Sequence, residues 1–352
     1  MIELDNNRVI KNFGKPYFIA EIGANHNGDI DLAKKMIQAA KEAGADCVKF
    51  QSWKKDSVFS KKVYEDNYFL NDDYRDRDDF TLEEIVDNYS VSESDLIELN
   101  KFAKSIEIDM TSTPFSNEEA DFLANEIDVP FLKVASMDLN NFPFLEHISR
   151  IGKPVILSTG LSSLNEIDRA VGIFENENNP RLILMHCVAT YPPKTSNINL
   201  NNIKTLMRIY PEYTIGFSDH SLGTDISIAA AALGAAIFEK HFTLDKDMEG
   251  WDHKISIDKK ELGEITHSLD RVNRALGSSR ILVTESNEQK NAFRRSIVST
   301  RALKEGGVIQ KGDLSYKRPG NGLPPEYSDF LIGRTLKRDI DEDCQILIDD
   351  IV

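Results

Sequence analysis

Short apolar segments alternate with amphipathic ones through about the first 270 residues of the chain. The apolar segments are "YFIAEIG" (17–23), "CVKFQ" (47–51), "IDMTSTP" (108–114), "FLKVAS" (131–136), "PVILSTG" (154–160), "LILMHCV" (182–188), "TIGFSD" (214–219) and "IFEKHFT" (237–243). Between them lie stretches such as "DLAKKMIQAAKEAGA", whose apolar positions recur at helical spacing. Continuous apolar strands alternating with helices are typical of a buried parallel sheet. The pattern predicts an α/β fold, a (β/α)8 TIM barrel with its active site at the carboxyl ends of the strands.

Polar side chains occur at one consistent place in these segments, at or just past the end of each apolar run. They are Glu21, Lys49, Gln51, Thr113, Ser136, Ser158, His186, Ser218, His220 and His241. Surface residues scattered at random would not keep this phase from one strand to the next. We therefore expect these side chains to meet at one end of the barrel.

Two parts of the chain interrupt or follow the alternation. The interval 53–91 is long, charged and rich in tyrosine, and we interpret it as an insertion after the second strand, either a lid or an interface arm. The segment 295–352 carries short apolar runs separated by "EGG", "KGD" and "RPGNG", which predicts a small β-rich domain. We divide the chain into a barrel domain (1–278), a linker (279–294) and this C-terminal domain (295–352).

Composition narrows the classes of function. The net charge of −16 over 352 residues disfavours a nucleic-acid binder, which needs clustered positive charge. Cys47, Cys187 and Cys344 are far apart and odd in number, which favours a reducing compartment over a disulfide scaffold. The polar N-terminus does not resemble a signal peptide, and no apolar run reaches the roughly 18 residues of a membrane span. We expect a cytoplasmic protein with no membrane partner.

His220 and His241 end the last two predicted strands, close to several acidic residues. A single histidine on an apolar strand is usually a core residue with satisfied hydrogen bonds. Two histidines at adjacent catalytic strand ends instead suit a divalent first-row metal with open coordination positions. We therefore predict that His220 and His241 are metal ligands.

Lys49 and Lys133 lie inside strands that should be buried. A buried lysine is unfavourable unless it is paired with an acid or with a bound anion. Hydroxyl groups near the same strand ends would add hydrogen bonds without adding charge; they belong to Thr113, Ser136, Ser158 and Ser218. We favour an anion pocket over internal ion pairs.

The acidic and amide residues leave more alternatives open. Glu21 and Asp138 suit either the orientation of a polar substrate or the transfer of a proton. Asp252 suits either sugar hydroxyl groups or the cap of a helix. Asn25, in the loop "GANHNGD", suits a hydrogen bond to a substrate beside Glu21.

The chain resembles the sialic acid synthase (N-acetylneuraminate synthase) family, which includes legionaminate and pseudaminate synthases. The matching runs cover nearly the whole chain in order: "FIAEIGANHNGD", "AGADCVKFQ", "STPFS", "LKVAS", "GKPVILSTGL", "HCVATYP", "GFSDHSLG", "LGAAIFEKHFT" and "KRPGNG". The resemblance implies a TIM barrel followed by a small β-rich antifreeze-like (SAF) domain. It also implies condensation of phosphoenolpyruvate with an open-chain N-acetylated hexosamine, with release of phosphate through cleavage of the C–O bond.

The resemblance further assigns roles to residues. It implies a divalent metal, typically Mn²⁺ with Mg²⁺ or Co²⁺ as alternatives, on His220 and His241. The residues matched to phosphoenolpyruvate are Lys49, Thr113, Lys133, Ser136, Ser158 and Ser218. The residues assigned to the sugar are Glu21, Asn25, Gln51, Tyr191, Asp252 and Arg318, and those assigned to catalysis are Glu21, Asp138, Lys49 and Lys133. In the family the C-terminal domain reaches across a domain-swapped homodimer, where Arg318 would close the partner's site.

Four positions depart from well-known members of the family: Ala189, Arg77 or a neighbour in "DDYRDRDDF", Trp251 and Ala292. All four lie toward the sugar, so a 2,4-diacetamido-trideoxyhexose is as good a candidate substrate as N-acetylmannosamine. Two other functions remain as alternatives. One is a two-histidine metal barrel that performs hydrolysis or retro-aldol cleavage, which would have little use for both lysines. The other is a catalytically silent sugar-binding protein.

Overall fold

The protein is described by a computed structural model that covers residues 1–66 and 81–352. The described residues form two compact units, Met1–Gly277 and Ser278–Val352. The strands of the first unit are β1 (Ile2–Glu3), β2 (Val9–Ile10), β3 (Tyr17–Gly23), β4 (Cys47–Ser52), β5 (Asp109–Pro114), β6 (Leu132–Val134), β7 (Val155–Ser158), β8 (Leu182–Cys187), β9 (Thr214–Asp219) and β10 (Ile237–His241). Its helices are α1 (Ile30–Glu42), α2 (Lys55–Val58), α3 (Lys61–Asp66), α4 (Leu82–Tyr89), α5 (Glu93–Ser105), α6 (Asn117–Phe122), α7 (Phe142–Ile151), α8 (Leu164–Asn176), α9 (Asn201–Ile209), α10 (Asp225–Ala232) and α11 (Lys259–Leu276).

Strands β3 to β10 form one parallel sheet in the order β5-β4-β3-β10-β9-β8-β7-β6. The sheet is a nearly closed barrel, so the predicted fold class is confirmed. In the described part of the chain no ladder joins β5 to β6, but the Thr111 hydroxyl donates to the Phe131 carbonyl across this gap at 2.9 Å. The eight apolar runs of the sequence coincide with these eight strands. The strands are continuous apolar runs because both of their faces are covered.

The barrel has two layers of apolar packing. The strand faces that point outward pack against the helices in one large cluster, which includes Met36, Leu99 and Leu262. Inside the barrel, residues such as Tyr17 and Phe131 pack together with residues of the β1–β2 hairpin. The hairpin therefore fills the amino end of the barrel, and the carboxyl end is left for a cavity.

Several helices, among them α1, α8 and α11, begin at residues whose side chains satisfy free backbone N–H groups. Asp29 caps α1 by accepting from the N–H groups of Asp31 and Leu32. Ser163 and Asp258 start α8 and α11 in the same way, each with a glutamate three positions later that completes a capping box. None of the described helices is long and apolar enough to cross a membrane.

The insertion predicted at 53–91 is helical where the structure describes it, with α2, α3 and α4. Helix α4 begins at a capping box formed by Thr81 and Glu84, and its apolar residues share one face. Arg77 and the rest of the charged run at 71–79 lie outside the described residues.

The second unit is rich in turns, with the helices α12 (Asn287–Phe293) and α13 (Ser328–Leu331) and an antiparallel pair of strands, β11 (Ser296–Ser299) and β12 (Leu314–Lys317). A small core that includes Ile297, Leu336 and Ile346 holds it together. The segment 279–294, expected to be a linker, contains α12 and falls inside this unit.

Candidate active site

A cavity of about 840 Å³ opens at the carboxyl ends of the barrel strands. Most of the predicted site residues line it: Glu21, Lys49, Gln51, Thr113, Lys133, Ser136, Ser158, Tyr191, Ser218, His220, His241 and Asp252. Strand register brings them together, because β3 pairs with β4 to set Glu21 beside Lys49, and with β10 to set His241 beside Glu21. The volume lies within the range typical of small-molecule sites.

Both predicted lysines are buried and directed to acceptors in the cavity wall. Lys49 Nζ lies 2.8 Å from Glu21 Oε2 and donates to the Thr113 hydroxyl at 2.8 Å. Lys133 Nζ donates to the Ser158 hydroxyl, also at 2.8 Å. The sequence left internal ion pairs and an anion pocket as alternatives, and the structure contains the elements of both.

Glu239 connects the two lysines and was not among the predicted site residues. Its Oε1 atom lies 3.8 Å from Lys49 Nζ and 3.8 Å from Lys133 Nζ, and it accepts from the Ser218 hydroxyl at 3.4 Å. The sequence held a usable signal, since Glu239 precedes His241 by two positions on the same strand. Residues two apart on a strand point to the same face.

Burial and neighbouring charges shift the pKa values of Glu21 and Glu239 in opposite directions. Burial raises the pKa of Glu21 to about 7, because Lys49 offsets only part of the desolvation and Glu239 adds repulsion. Burial also disfavours the charged form of Glu239, but the attraction of Lys133 and Lys49 outweighs it and lowers the pKa of this carboxyl. Near neutral pH, Glu21 can therefore take up or release a proton, whereas Glu239 stays ionised.

The two histidines lie side by side, with ring centroids 5.6 Å apart. His220 Nδ1 lies 2.9 Å from the Val188 carbonyl oxygen, which can only accept, so Nδ1 carries a proton and the neutral ring offers the lone pair of Nε2. The ring of Tyr191 packs on His220 at a centroid distance of 4.1 Å. The hydrogen bond thus orients the ring of His220 through Nδ1, and Tyr191 packs against its face.

His241 is buried and electrically neutral. Burial, together with the nearby charge of His220, lowers its pKa well below the ordinary value. Burial alone would also lower the pKa of His220, but the Cys187 sulfur and the Val188 carbonyl outweigh it and raise this pKa. His241 Nδ1 has no hydrogen-bond partner among the described residues, although Asp252 Oδ2 lies 3.7 Å away.

This pair of imidazoles fits a divalent first-row metal that keeps open coordination positions. His220 presents Nε2, and His241 has a buried Nδ1 that makes no hydrogen bond to any residue that the structure describes. Within residues 1–66 and 81–352, no cluster of three or more His, Cys, Asp or Glu side chains is arranged to hold a metal ion. The described side chains thus offer two nitrogen ligands, and water or substrate would complete the shell.

Three predicted site residues do not line the cavity, and Asn25 differs most from the expectation of a sugar contact. Its side chain is fully buried, donates to the Phe242 carbonyl and the Ser256 hydroxyl at 2.9 Å each, and accepts from the backbone N–H of Asp252 at 3.1 Å. Asn25 therefore fixes the loop that carries Asp252 in the cavity wall.

Asp138 and Arg318 are the other two predicted site residues that do not line the cavity. Asp138 is partly buried beside Asn141, which donates to it at 3.4 Å, and burial raises its pKa. Arg318 lies in the second unit, where its Nε donates to the Phe293 carbonyl at 3.0 Å and its guanidinium lies 5.4 Å from the centre of the Phe293 ring.

Apolar side chains line another part of the cavity, and the sequence analysis did not identify this surface. This surface, the apolar wall, consists of Trp53, Val58, Phe59, Leu82, Ile85, Val86, Phe115 and Trp251. Most of these side chains belong to one cluster, which joins α2 and α4 to Trp251. The spacing of Leu82, Ile85 and Val86 was a signal for it, since positions i, i+3 and i+4 share a helix face.

The chain is similar to known proteins in family and in fold. Residues 36–280 match the NeuB family and residues 294–352 match the SAF domain. The chain is 37% identical to the N,N'-diacetyllegionaminic acid synthase of Campylobacter jejuni (94% of this chain, 98% of that one) and 35% identical to the N-acetylneuraminate-9-phosphate synthase of Homo sapiens (94% and 91%). The crystal structure of an N-acetylneuraminic acid synthetase from Leptospira borgpetersenii, in complex with citrate, is 33% identical with a TM-score of 0.73, over 82% of this chain and 94% of that one.

Proposed function

The chain belongs to the NeuB family and is a sialic acid synthase-type enzyme, and from this premise we propose that it condenses phosphoenolpyruvate with an N-acetylated hexosamine. The sugar reacts as its open-chain aldehyde, and the products are a nonulosonic, sialic-type acid and inorganic phosphate. The observation that carries the proposal is the pair of buried lysines, Lys49 and Lys133, which face one cavity from different strands.

The lysines and the surrounding hydroxyl groups suit a small, highly charged anion. Lys49 and Lys133 supply two positive charges, and Thr113 and Ser158 already lie within hydrogen-bond distance of them. Ser136 lines the same cavity, accepts from the backbone N–H of Gly160 at 3.1 Å and is hydrogen-bonded to the Cys187 sulfur, so an anion would replace that sulfur as the acceptor of its hydroxyl hydrogen. Phosphoenolpyruvate carries a carboxylate and a phosphate, and it would use both cations. A hydrolase acting on a neutral substrate would not need them.

The proposed reaction conserves atoms as follows. C3 of phosphoenolpyruvate attacks the aldehyde carbon and forms the new C–C bond. Water adds at C2, the C–O bond to phosphate breaks, and inorganic phosphate leaves. Lys49 and Lys133 stabilise the charge of the carboxylate and the departing phosphate. Glu21, with a pKa near 7, can hold the proton that the former aldehyde oxygen takes up.

His220 and His241 would hold the divalent metal, which we expect to be Mn²⁺, with Mg²⁺ or Co²⁺ as alternatives. When bound, such an ion supplies Lewis-acid polarisation of a carbonyl oxygen. Tyr191 packs against both rings and limits their movement. Asp252, whose backbone N–H donates to Asn25, lies beside His241, and we expect it to bind the sugar hydroxyl groups.

For the sugar, the apolar wall favours a 2,4-diacetamido-trideoxyhexose over N-acetylmannosamine. A deoxy methyl group and a second acetamido methyl group would remove apolar surface from water against Val58, Phe59 and Trp251, at roughly 25 cal/mol per Å². A phosphorylated sugar would place a second phosphate in the same cavity, where Lys49 and Lys133 are already assigned to phosphoenolpyruvate. The relative from Campylobacter jejuni is named for an N,N'-diacetyl product.

We propose in addition that the enzyme is a domain-swapped homodimer in which Arg318 of one copy closes the site of the other. Its hydrogen bond to the Phe293 carbonyl and its contact with the Phe293 ring would present the guanidinium in a defined direction. Arg318→Ala should then lower activity, and mixing it with an inactive barrel variant should restore part of that activity.

The direct test is phosphate release in the presence of Mn²⁺, phosphoenolpyruvate and one sugar at a time: N-acetylmannosamine, its 6-phosphate, or each diacetamido-trideoxyhexose. We expect release that requires both sugar and metal and is abolished by EDTA, His220→Ala or Lys133→Met. Val9→Thr, at an exposed position outside the cavity, is the matched control. If folded, metal-loaded protein released no phosphate with any of these sugars, the proposed reaction would be wrong and a silent sugar-binding role would be favoured.

A further inference from the structure

A second pair of charged residues lies directly behind the two histidines. Asp219 stands between Ser218 and His220, and Lys240 stands between Glu239 and His241. Because side chains alternate along a strand, Asp219 and Lys240 point away from the cavity, toward the helices. Strand register sets them opposite each other on β9 and β10.

The two side chains form a buried network. Lys240 Nζ lies 2.9 Å from Asp219 Oδ2, and each side chain is only 1% exposed. Asp219 Oδ1 accepts from the backbone N–H of Ser221 at 2.8 Å and from its hydroxyl at 2.6 Å, and Oδ2 accepts from Ser227 of α10 at 2.6 Å. Lys240 Nζ also donates to the Ser221 carbonyl at 2.5 Å.

This network holds the backbone on both sides of His220. Asp219 and Ser221, which flank His220, are bonded to each other, and both are bonded to Lys240, the neighbour of His241. The turn that carries one imidazole is therefore tied to the strand that carries the other.

Stability alone does not account for such a pair. Buried ion pairs can often be replaced by apolar residues of similar volume without loss of stability, although removing one partner is costly. We propose that Asp219 and Lys240 are positioning residues, which fix the distance and the angle between the rings of His220 and His241. This inference rests on the proposed function of the two histidines in holding a metal.

The proposal is tested with three variants: Lys240→Met, the double variant Asp219→Leu/Lys240→Met, and Lys153→Met as a control. Lys153 forms ion pairs with Asp5 at 3.0 Å and Asp128 at 2.8 Å, just ahead of β7 and away from the cavity. The measurements are the urea midpoint of unfolding, the affinity for Co²⁺ with its visible absorption spectrum, and the crystal structure of the double variant.

We expect Lys240→Met to lower the urea midpoint and the double variant to regain part of it, because Ser221 and Ser227 lose their acceptor when Asp219 is removed. The stable double variant should still bind Co²⁺ roughly 10- to 100-fold more weakly with an altered spectrum, in the range found when groups that orient metal ligands are removed. Its ring centroids should depart from the native separation of 5.6 Å. Lys153→Met should bind Co²⁺ as the wild type does.

Two results would overturn the proposal. One is a stable double variant with wild-type Co²⁺ affinity and spectrum, and the other is a crystal structure with the imidazoles in their native positions. The crystal structure decides the question even if the wild type binds no Co²⁺. In that case the assigned metal function of His220 and His241 is wrong, and the positioning of their rings is still measured.

Discussion

Replacing Lys49 with methionine should destabilise the protein by an amount that grows with pH above 7. Lys49 Nζ lies 2.8 Å from Glu21 Oε2, and at an effective dielectric constant of about 20 such a contact corresponds to about 6 kcal/mol. This figure is the ceiling of the loss, because Glu21 can take up a proton when its partner is removed. At low pH the variant therefore loses much less than the full value.

The sign of the pH dependence follows from proton linkage. In the wild type the pKa of Glu21 is raised from 4.5 to about 7, so the free energy of unfolding falls as the pH rises between these values and then levels off. Without Lys49 the pKa in the folded state rises further, and the fall continues above pH 7. The additional loss is about 1.4 kcal/mol per pH unit, or about 2 kcal/mol at pH 8.5.

Urea unfolding of both proteins at pH 6, 7 and 8.5 measures this difference. The double variant Lys49→Met/Glu21→Gln is the control, since it removes the titrating group and should show no extra loss at high pH. A difference between wild type and Lys49→Met that stayed constant from pH 6 to 8.5 would refute the role given to Glu21.

Further predictions concern the ligand, the barrel and the apolar wall. Phosphoenolpyruvate should bind at pH 7 with uptake of protons, because an anion bound beside Glu21 raises the pKa of Glu21 further. Binding heats measured by calorimetry should therefore change with the ionisation enthalpy of the buffer. Equal heats in all buffers would contradict this prediction. Thr111→Val should lower the free energy of unfolding by about 1–3 kcal/mol, because the buried Phe131 carbonyl loses its donor. The control is Thr205→Val, at an exposed position. An equal loss in the control would argue against a special role for the Thr111–Phe131 hydrogen bond. Val58→Thr should raise the KM for a diacetamido sugar roughly tenfold and leave the KM for phosphoenolpyruvate unchanged, and an equal rise in both would place the sugar elsewhere.

The barrel could be predicted from the sequence because buried parallel strands leave a strong pattern. All eight strands of the sheet were identified from continuous apolar runs ending in polar residues. The β1–β2 hairpin was not predicted, since strands of two residues are too short to show any periodicity. The helices of the described insertion were missed because their charged residues concealed the apolar face of α4.

Predicting the site depended on strand position, and this information was incomplete. Phase along each strand placed Lys49 and Lys133 at the correct end of the barrel, but the partner of each lysine depends on register between strands. Glu239 illustrates the limit, because an acid within an apolar strand has no visible partner until the fold brings two lysines to it. Asn25 illustrates the opposite case, since an amide in a polar loop gives no sign that its hydrogen bonds are satisfied internally.

The different pKa values of Glu21 and Glu239 indicate how one site can be stable when empty and still accept an anion. Without ligand, two carboxyl groups balance Lys49 and Lys133 and avoid the cost of unpaired buried charge. On the proposed function, phosphoenolpyruvate must compete with these acids for the lysines. Glu21 can give up its charge near neutral pH, whereas Glu239 is held ionised by both lysines. On this proposal Glu21 would release Lys49 to the substrate, and Glu239 would keep the two ammonium groups in place while the substrate binds.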